Sequence, residues 1–523
     1  MSRTRIGSVV GLAMLVGLLA FALTGMKTTR ASPPAQAADG QAIYTQRCEI
    51  CHGAEGDGNG PGAEFMSPRP RDFRRGWYKI RTTASGQLPT DEDLIRIIAS
   101  GMPGTMMPAW KGVLTVEEMT AVAQYLKGFA RRFERETPQA VAAAAKVQSS
   151  AESIARGQEL FAGQAAECVK CHGQAGRGDG PSADELTDDF GSVIVPADLT
   201  MAWLFRGGPT ADDIHMRLLT GLTGSPMPSY ADVLTPEQVW DLANYVDSLS
   251  PDTAPEPQAS ITAFRVQGAI PADPNAAEWQ GAAEYFYPLV GQIMREPRNY
   301  TPSVSGVWVR ALYNESELAL RVKWHDRFQD AGAEGETSPS GGKPADALAV
   351  EFPAQLPTGD PAERGAGGER PYFVFGDSTH PVTLWYWSAA TNAVEERNAR
   401  GAGSVTSQAT QNAQGMASFT DGENALIVRR ALNTSDAEDV QFETGEFIPI
   451  AFMAWDGWQG EQDANGAISS WYLIYLEKPV PPINYIWIPA AVIVTGLLEW
   501  LIVWAVRRGQ RKREAWSVAQ RCH

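Results

Sequence analysis

Hydrophobic residues along this 523-residue chain follow three rhythms. The first is the unbroken run, found at both ends. Residues 6–23 are almost wholly apolar behind a basic start at Arg3 and Arg5, and residues 483–506 form a run long enough to cross a bilayer as a helix. The second rhythm is helical and covers about 38–250. Val122/Leu126 and Leu242/Val246 are spaced four apart behind Thr115 and Thr235, whose hydroxyls suit N-caps, with Glu117, Glu118 and Glu237 in the first turns. A helix is predicted near 40–48, with a counterpart near 157–168 that is three residues longer. The third rhythm is alternation, beyond a Pro-rich linker at 251–257. Residues 307–313 and 318–324 flank the polar turn Asn314-Glu315-Ser316-Glu317 as a β-hairpin, and further strands are predicted at 348–352, 372–375, 382–387, 425–430, 449–454 and 471–476. About ten short strands fit an all-β antiparallel sandwich.

The helical region is a duplication. Cys48-Glu49-Ile50-Cys51-His52 and Cys168-Val169-Lys170-Cys171-His172 are 120 residues apart, and so are Met107-Pro108 and Met227-Pro228, Leu114-Thr115 and Leu234-Thr235, and Tyr125 and Tyr245. Both five-residue segments match C-x-x-C-H, in which two thiols form thioethers to haem vinyls and the adjacent histidine is held under the iron. A dithiol redox centre has no use for that histidine in both copies, and a zinc site would have to bridge motifs 120 residues apart. Cys48, Cys51, Cys168 and Cys171 are therefore read as covalent attachment points for two haem c groups, with His52 and His172 as axial ligands. Gly56-Asp57-Gly58 and Gly178-Asp179-Gly180 suit loops wrapping the haem edge. Lys79, Arg81, Arg69 and Arg71 form a basic patch suited to propionates, to a partner or to solvent.

Charge and the chain ends set the surroundings. A formal net charge of −17 argues against nucleic-acid binding. Ala35-Gln36-Ala37 offers a cleavage site, so residues 1–37 read as a signal peptide, with an uncleaved N-terminal anchor as the alternative. Arg507, Arg508, Arg511, Lys512 and Arg513 follow the second apolar run, which puts the tail 507–523 in the cytoplasm and the bulk of the chain on the periplasmic side of the cytoplasmic membrane. Glu499 lies inside the span, as an intramembrane contact or a snorkelling carboxylate, and Cys522 stands alone in the tail. Without the basic ends, residues 38–506 carry about −26, which favours steering of a basic soluble cytochrome.

Each module, over 38–135 and 156–250, resembles an all-α class I cytochrome c, and the segment "GMPGTMMPAW" resembles that family's methionine-ligand loop. The resemblance implies Met107 and Met227 as distal thioether ligands and a raised haem potential. Met102 and Met106 compete in the first module, but positions 222 and 226 hold Leu222 and Pro226, so the 120-residue offset selects Met107.

Residues 258–480, through "LALRVKWHD", "PVTLWYW", "IAFMAWDGWQGEQ" and "SSWYLIYLE", resemble the haem-binding γ subunits of ethylbenzene dehydrogenase and related molybdenum enzymes, a DOMON-like sandwich group. That resemblance implies a haem b with methionine and lysine ligands, and a molybdopterin/iron–sulfur partner. Here Phe375 precedes Gly376 where methionine is expected, and 459–470 contains no lysine; His380 and Met453 are the substitutes at hand. Haem b thus remains an expectation without a matched ligand pair. The functional expectation is a membrane-anchored, dihaem electron-transfer subunit, not an enzyme by itself, working between a periplasmic molybdenum oxidoreductase and a respiratory-chain acceptor or donor. Open alternatives are an accessory cytochrome of a terminal oxidase or quinol-oxidising complex and a redox-linked ligand-binding or sensory protein. A dihaem peroxidase type needs a vacant iron, which the matched Met-Pro loops speak against.

Overall fold

A computed structural model describes residues 38–521 apart from 67, 143, 190, 192–193, 301, 333–343, 357–374 and 479–481. The expected leader or anchor at 1–37, most of the strand expected at 372–375, and Cys522 lie outside the described residues.

The first module contains α1 (Gly40–Arg47), α2 (Glu49–His52), α3 (Asp91–Ser100) and α4 (Val116–Lys127); the second contains α5 (Ala151–Ala162), α6 (Val169–His172), α7 (Ala211–Thr220) and α8 (Pro236–Ser248). Thr115 and Thr235 close capping boxes with Glu118 and Gln238. The sequence reading lacked α3 and α7, which start behind Thr90 and Thr210, again 120 apart. In each copy the first helix crosses the last through a glycine. A Cβ on Gly40 would sit 2.1 Å from the Ala121 carbonyl oxygen, and one on Gly157 would sit 2.0 Å from that of Asp241.

These glycines are offset by 117, not 120, and the structure places the difference. The second helix ends at Ala162, and the extra residues form a turn in which the Glu167 N–H donates to the Gly163 carbonyl at 2.8 Å. The bounds of the helix expected near 157–168 are corrected accordingly. It is longer than its counterpart, 12 residues against 8, but runs from Ala151 to Ala162, and Glu167 at φ 50° ends any helical continuation. The glycine loops are also shifted from their like sequence. Gly58 and Gly178 donate to the carbonyls of His52 and His172, both at 2.9 Å, so the counterpart of Asp57 is Arg177.

The modules meet along a seam in which Arg81 is fully buried. Its guanidinium donates to the Thr220 carbonyl at the end of α7 at 2.8 Å and to the Tyr78 and Ala84 carbonyls, both at 3.1 Å. Arg81 thus stitches the modules together through backbone carbonyls, and is not part of the basic patch for propionates, a partner or solvent that the sequence suggested.

Beyond the exposed linker lie β1 (Ser260–Arg265), α9 (Ala277–Gly281), β2 (Tyr285–Pro288), β3 (Val290–Gly291), β4 (Gly306–Tyr313), β5 (Glu317–His325), β6 (Ala347–Pro353), β7 (Val382–Ser388), β8 (Ala393–Ala399), β9 (Thr406–Ser407), β10 (Gln414–Thr420), β11 (Glu423–Ala431), β12 (Phe447–Trp455), β13 (Ala467–Ile468) and β14 (Tyr472–Leu476). The main order is β10-β11-β5-β4-β1-β14-β12-β6-β7-β8-β9. It is mixed, not purely antiparallel, because β1 pairs parallel with both β14 and β4. The folded-over sheet encloses one aromatic core, in which Trp324 of β5 meets Trp387 of β7 at 5.4 Å between ring centroids.

The chain continues into α10 (Pro482–Arg521), whose stretch Trp487–Arg513 is long and apolar enough to cross a membrane and is not buried against the rest of the chain. The helix continues through the basic residues that follow the apolar run expected at 483–506, so those residues are helical.

Candidate functional site

The short helices α2 and α6 explain why the attachment motif works as a unit. Cys48 and Cys168 are their N-caps, and the second cysteine and the histidine follow within a single turn, close together on one surface. The four thiols are unpaired; their sulfurs stand for the thioether sulfurs of the attached group. Burial pushes the Cys48 and Cys168 thiols up to about 11 and raises Cys51 and Cys171 as well. A redox dithiol needs the opposite shift, toward thiolate.

His52 Nδ1 lies 3.2 Å from the Arg71 carbonyl oxygen, and His172 Nδ1 lies 3.0 Å from that of Ala197. A carbonyl only accepts, so each Nδ1 carries the proton and each Nε2 keeps its lone pair, the tautomer an iron ligand requires. Burial lowers the pKa of both rings and keeps them neutral. His52 also stacks on Phe73 at 4.5 Å between centroids.

The methionine loops are built alike. The N–H groups of Met102 and Leu222 donate to the carbonyls of Met107 and Met227, both at 3.1 Å, and the hydroxyls of Thr105 and Ser225 donate to the carbonyls of Met102 and Leu222, both at 2.8 Å. Met107 and Met227 therefore hold equivalent half-buried positions, while Met106 is 41% exposed and Met102 is the counterpart of a leucine.

All eight of these cysteines, histidines and methionines line one continuous cavity of about 1860 Å³ that runs through both modules. Its walls also carry Arg71, Lys79, Arg206 and Arg217. Burial lowers every one of these cations, Lys79 to about 8 and Arg217 to about 10, although Asp188 lies 4.0 Å from the Lys79 ammonium. An apolar slot with paired cysteines, oriented histidines and buried cations fits haem and its propionates. Arg206 and Arg217 carried no sequence signal, since their approach depends on how the modules dock.

The third wall comes from the β region, through residues such as Phe286, Ser303, Arg327 and Trp458. His325, at the end of β5, bonds Asp198 Oδ2 at 2.6 Å and stacks on Trp308 at 4.6 Å. Asp198 follows Ala197, the residue that orients His172. Burial alone would lower His325, but Asp198 and Glu423 outweigh it and raise the imidazole; Glu423 in turn falls to about 2. Sequence reasoning missed this link because 127 residues separate the pair. The substitutes for haem b ligands do not converge on this cavity. His380 bonds Asp377 at 3.2 Å in a turn, and Met453 packs in the core with Phe375 and Trp455.

Comparison with known proteins agrees with this geometry. Residues 35–126 match the family model described as cytochrome c oxidase, cbb3-type, subunit III, and residues 154–250 match that described as cytochrome c. The chain is 26% identical over 203 residues, 39% of its own length and 67% of the other's, to a Haloferax mediterranei protein provisionally named a respiratory nitrate reductase haem subunit. It is 26% identical over 219 residues, 41% of its length and 83% of the other's, to the chlorate reductase gamma subunit of Ideonella dechloratans. A chain of the solved Kuenenia stuttgartiensis reducing HAO-like protein complex is 43% identical, covering 40% of this chain and 96% of that one with a TM-score of 0.39. The chain thus carries two cytochrome c-type domains, which implies covalently bound haem c, and is related to electron-transfer subunits of respiratory oxidoreductases.

Proposed function

We propose that this chain is a membrane-anchored dihaem cytochrome c that passes electrons between a periplasmic molybdenum oxidoreductase and a respiratory-chain carrier. The observation that carries the reading is the single cavity joining both C-x-x-C-H motifs and both Met-Pro loops. Haem c, when bound, would supply a one-electron carrier whose potential a thioether donor raises. The protein supplies the rest. His52 and His172 present Nε2 because the Arg71 and Ala197 carbonyls hold the other nitrogen. Met107 and Met227 would offer thioether donors to the same groups, and Arg71, Lys79 and Arg206 would neutralise propionates. A histidine and a methionine assigned to each haem would leave no position for substrate, which is the ground for reading the chain as a relay and not as an enzyme by itself.

The β region is assigned as the docking body for the catalytic subunits, a reading supported by the likeness to the chlorate reductase gamma subunit. Residues 483–506 anchor the chain, with the basic tail cytoplasmic and the modules periplasmic. A second reading, an accessory cytochrome of a terminal oxidase, is favoured by the first module's match to the cbb3-type subunit III family. Affinity purification of the full chain from its native membranes separates the two. Molybdenum and iron–sulfur subunits co-purifying support the first reading; a haem–copper oxidase in their place overturns it.

A further inference from the structure

Three carboxylates with no part in haem attachment or ligation meet at one end of the β region. Asp326 directly follows β5, Asp346 directly precedes β6, and Asp456 directly follows β12. Two of them are brought together by register. β6 and β12 pair antiparallel with Ala347 opposite Trp455, so the next residues outward, Asp346 and Asp456, stand side by side. Asp326 arrives from β5, which lies across the aromatic core in the facing half of the sheet. The three are 5%, 0% and 3% exposed, and one oxygen of each lies within 4.8 Å of the others.

Buried carboxylates so close together need compensation, and the protein supplies only part of it. Asp346 accepts from the N–H groups of Gly457 at 2.8 Å and Asp330 at 2.7 Å. Asp456 Oδ1 accepts from those of Trp458 at 2.8 Å and Gln459 at 3.3 Å. Asp326 Oδ1 accepts from the Phe328 N–H at 3.3 Å, but its Oδ2 is buried with no hydrogen-bond donor. Among the described residues no lysine or arginine forms an ion pair with any of the three. Arg327 attracts Asp456, yet its N–H groups donate to the Pro196 carbonyl at 3.3 and 3.4 Å. Glu461, 3% exposed, adds a further carboxylate whose Oε2 accepts from the Asp456 N–H at 3.0 Å.

We propose that Asp326, Asp346 and Asp456 form a binding site for one calcium ion. An all-oxygen donor set selects a hard cation, not zinc or copper. Calcium is selected over magnesium because the ligands form a dry cage of protein oxygens in place of a hydrated shell. The cation satisfies the unpaired Asp326 oxygen and cancels the repulsion that burial imposes, which in its absence raises the carboxyls of all three aspartates. Its structural effect is to fix the segment after β5 and the loop after β12. These segments contribute Asp326, Arg327, Trp458 and Gln459 to the wall of the haem cavity, so the ion braces that wall.

The test uses the purified full chain. Elemental analysis is expected to find one calcium per chain beside the iron, removed by prolonged dialysis against chelator. Melting temperature should fall on removal and recover with calcium chloride, titrating within the range of extracellular calcium modules, up to roughly millimolar. Magnesium chloride should not restore it. Asp326→Asn leaves the bond to Phe328 in place and removes charge from the unpaired oxygen. It should weaken calcium binding by at least about tenfold and, in chelator, be more stable than the wild type, while in calcium the order reverses. Absence of calcium with a melting temperature indifferent to chelator, equal recovery with magnesium, or greater stability of Asp326→Asn in both conditions would each overturn the assignment.

Discussion

Met107 differs from its neighbours Met102 and Met106 in position, not in chemistry, and the duplicated loop identifies the position. Its backbone bond to residue 102 is repeated by Met227 and Leu222 at the same 3.1 Å. Replacing Met107 or Met227 by histidine should lower the midpoint potential of that module's haem, since thioether ligation raises it. Replacement by alanine should convert that iron to high spin, and Met102→Leu and Met106→Leu should leave both potentials unchanged. Redox titration of the two histidine and two leucine variants, with optical spectra of the two alanine variants, checks this; a shift in the Met106 variant would sink the assignment of Met107. At this scale the sequence was informative wherever chemistry fixes spacing, as in C-x-x-C-H and the matched Met-Pro pairs. It was silent on Arg81 and Arg206, because a basic residue near a motif looks the same whether it meets solvent, a carbonyl or a propionate.

At the scale of elements, the crossing of α5 and α8 depends on a missing Cβ and a buried carboxylate. Gly157→Ala places a methyl group 2.0 Å from the Asp241 carbonyl oxygen. Thermal denaturation should show a loss of about 1–3 kcal/mol from overpacking, and the equivalent Gly40→Ala should behave alike. Asp241, 3% exposed, accepts from Ser153 Oγ at 2.6 Å and from Arg156 Nε and Nη2 at 2.7 and 2.8 Å. Burial alone would raise its carboxyl, but the Arg156 and Ser153 bonds outweigh that and hold it below its ordinary 3.8. A folded-state pKa below the unfolded one gives stability that is present above 3.8 and lost as pH falls through the folded value. Asp241→Asn should therefore be less stable than wild type at neutral pH, by about 1–3 kcal/mol, with the gap shrinking below pH 3.8. Melting curves across pH decide it, and a gap that persists at low pH contradicts the linkage. The end helices were legible through their caps and periodicity. The turn that takes up the three-residue insertion before Cys168 was not, because an insertion shifts the repeat without saying whether it extends a helix or ends one.

In the whole molecule, packing decides what no single module contains. The hairpin of β4 and β5, and the strands β6, β7, β11, β12 and β14, lie close to where alternation placed them. The parallel insertion of β1 between β4 and β14 left no local trace, since Ser260–Arg265 reads like any short strand. Likewise Asp326, Asp346 and Asp456 come from the ends of three different strands and meet only through register and the closing of the sheet. The joining of the two C-x-x-C-H motifs into one cavity, with the β region as a wall, belongs to this scale, and the proposed electron-relay account depends on it. Pyridine haemochrome analysis of the purified full-length protein, normalised to chain concentration, tests that account most directly. It should give a purely c-type spectrum with two haems per chain. A single haem per chain, or a b-type component, would contradict the account.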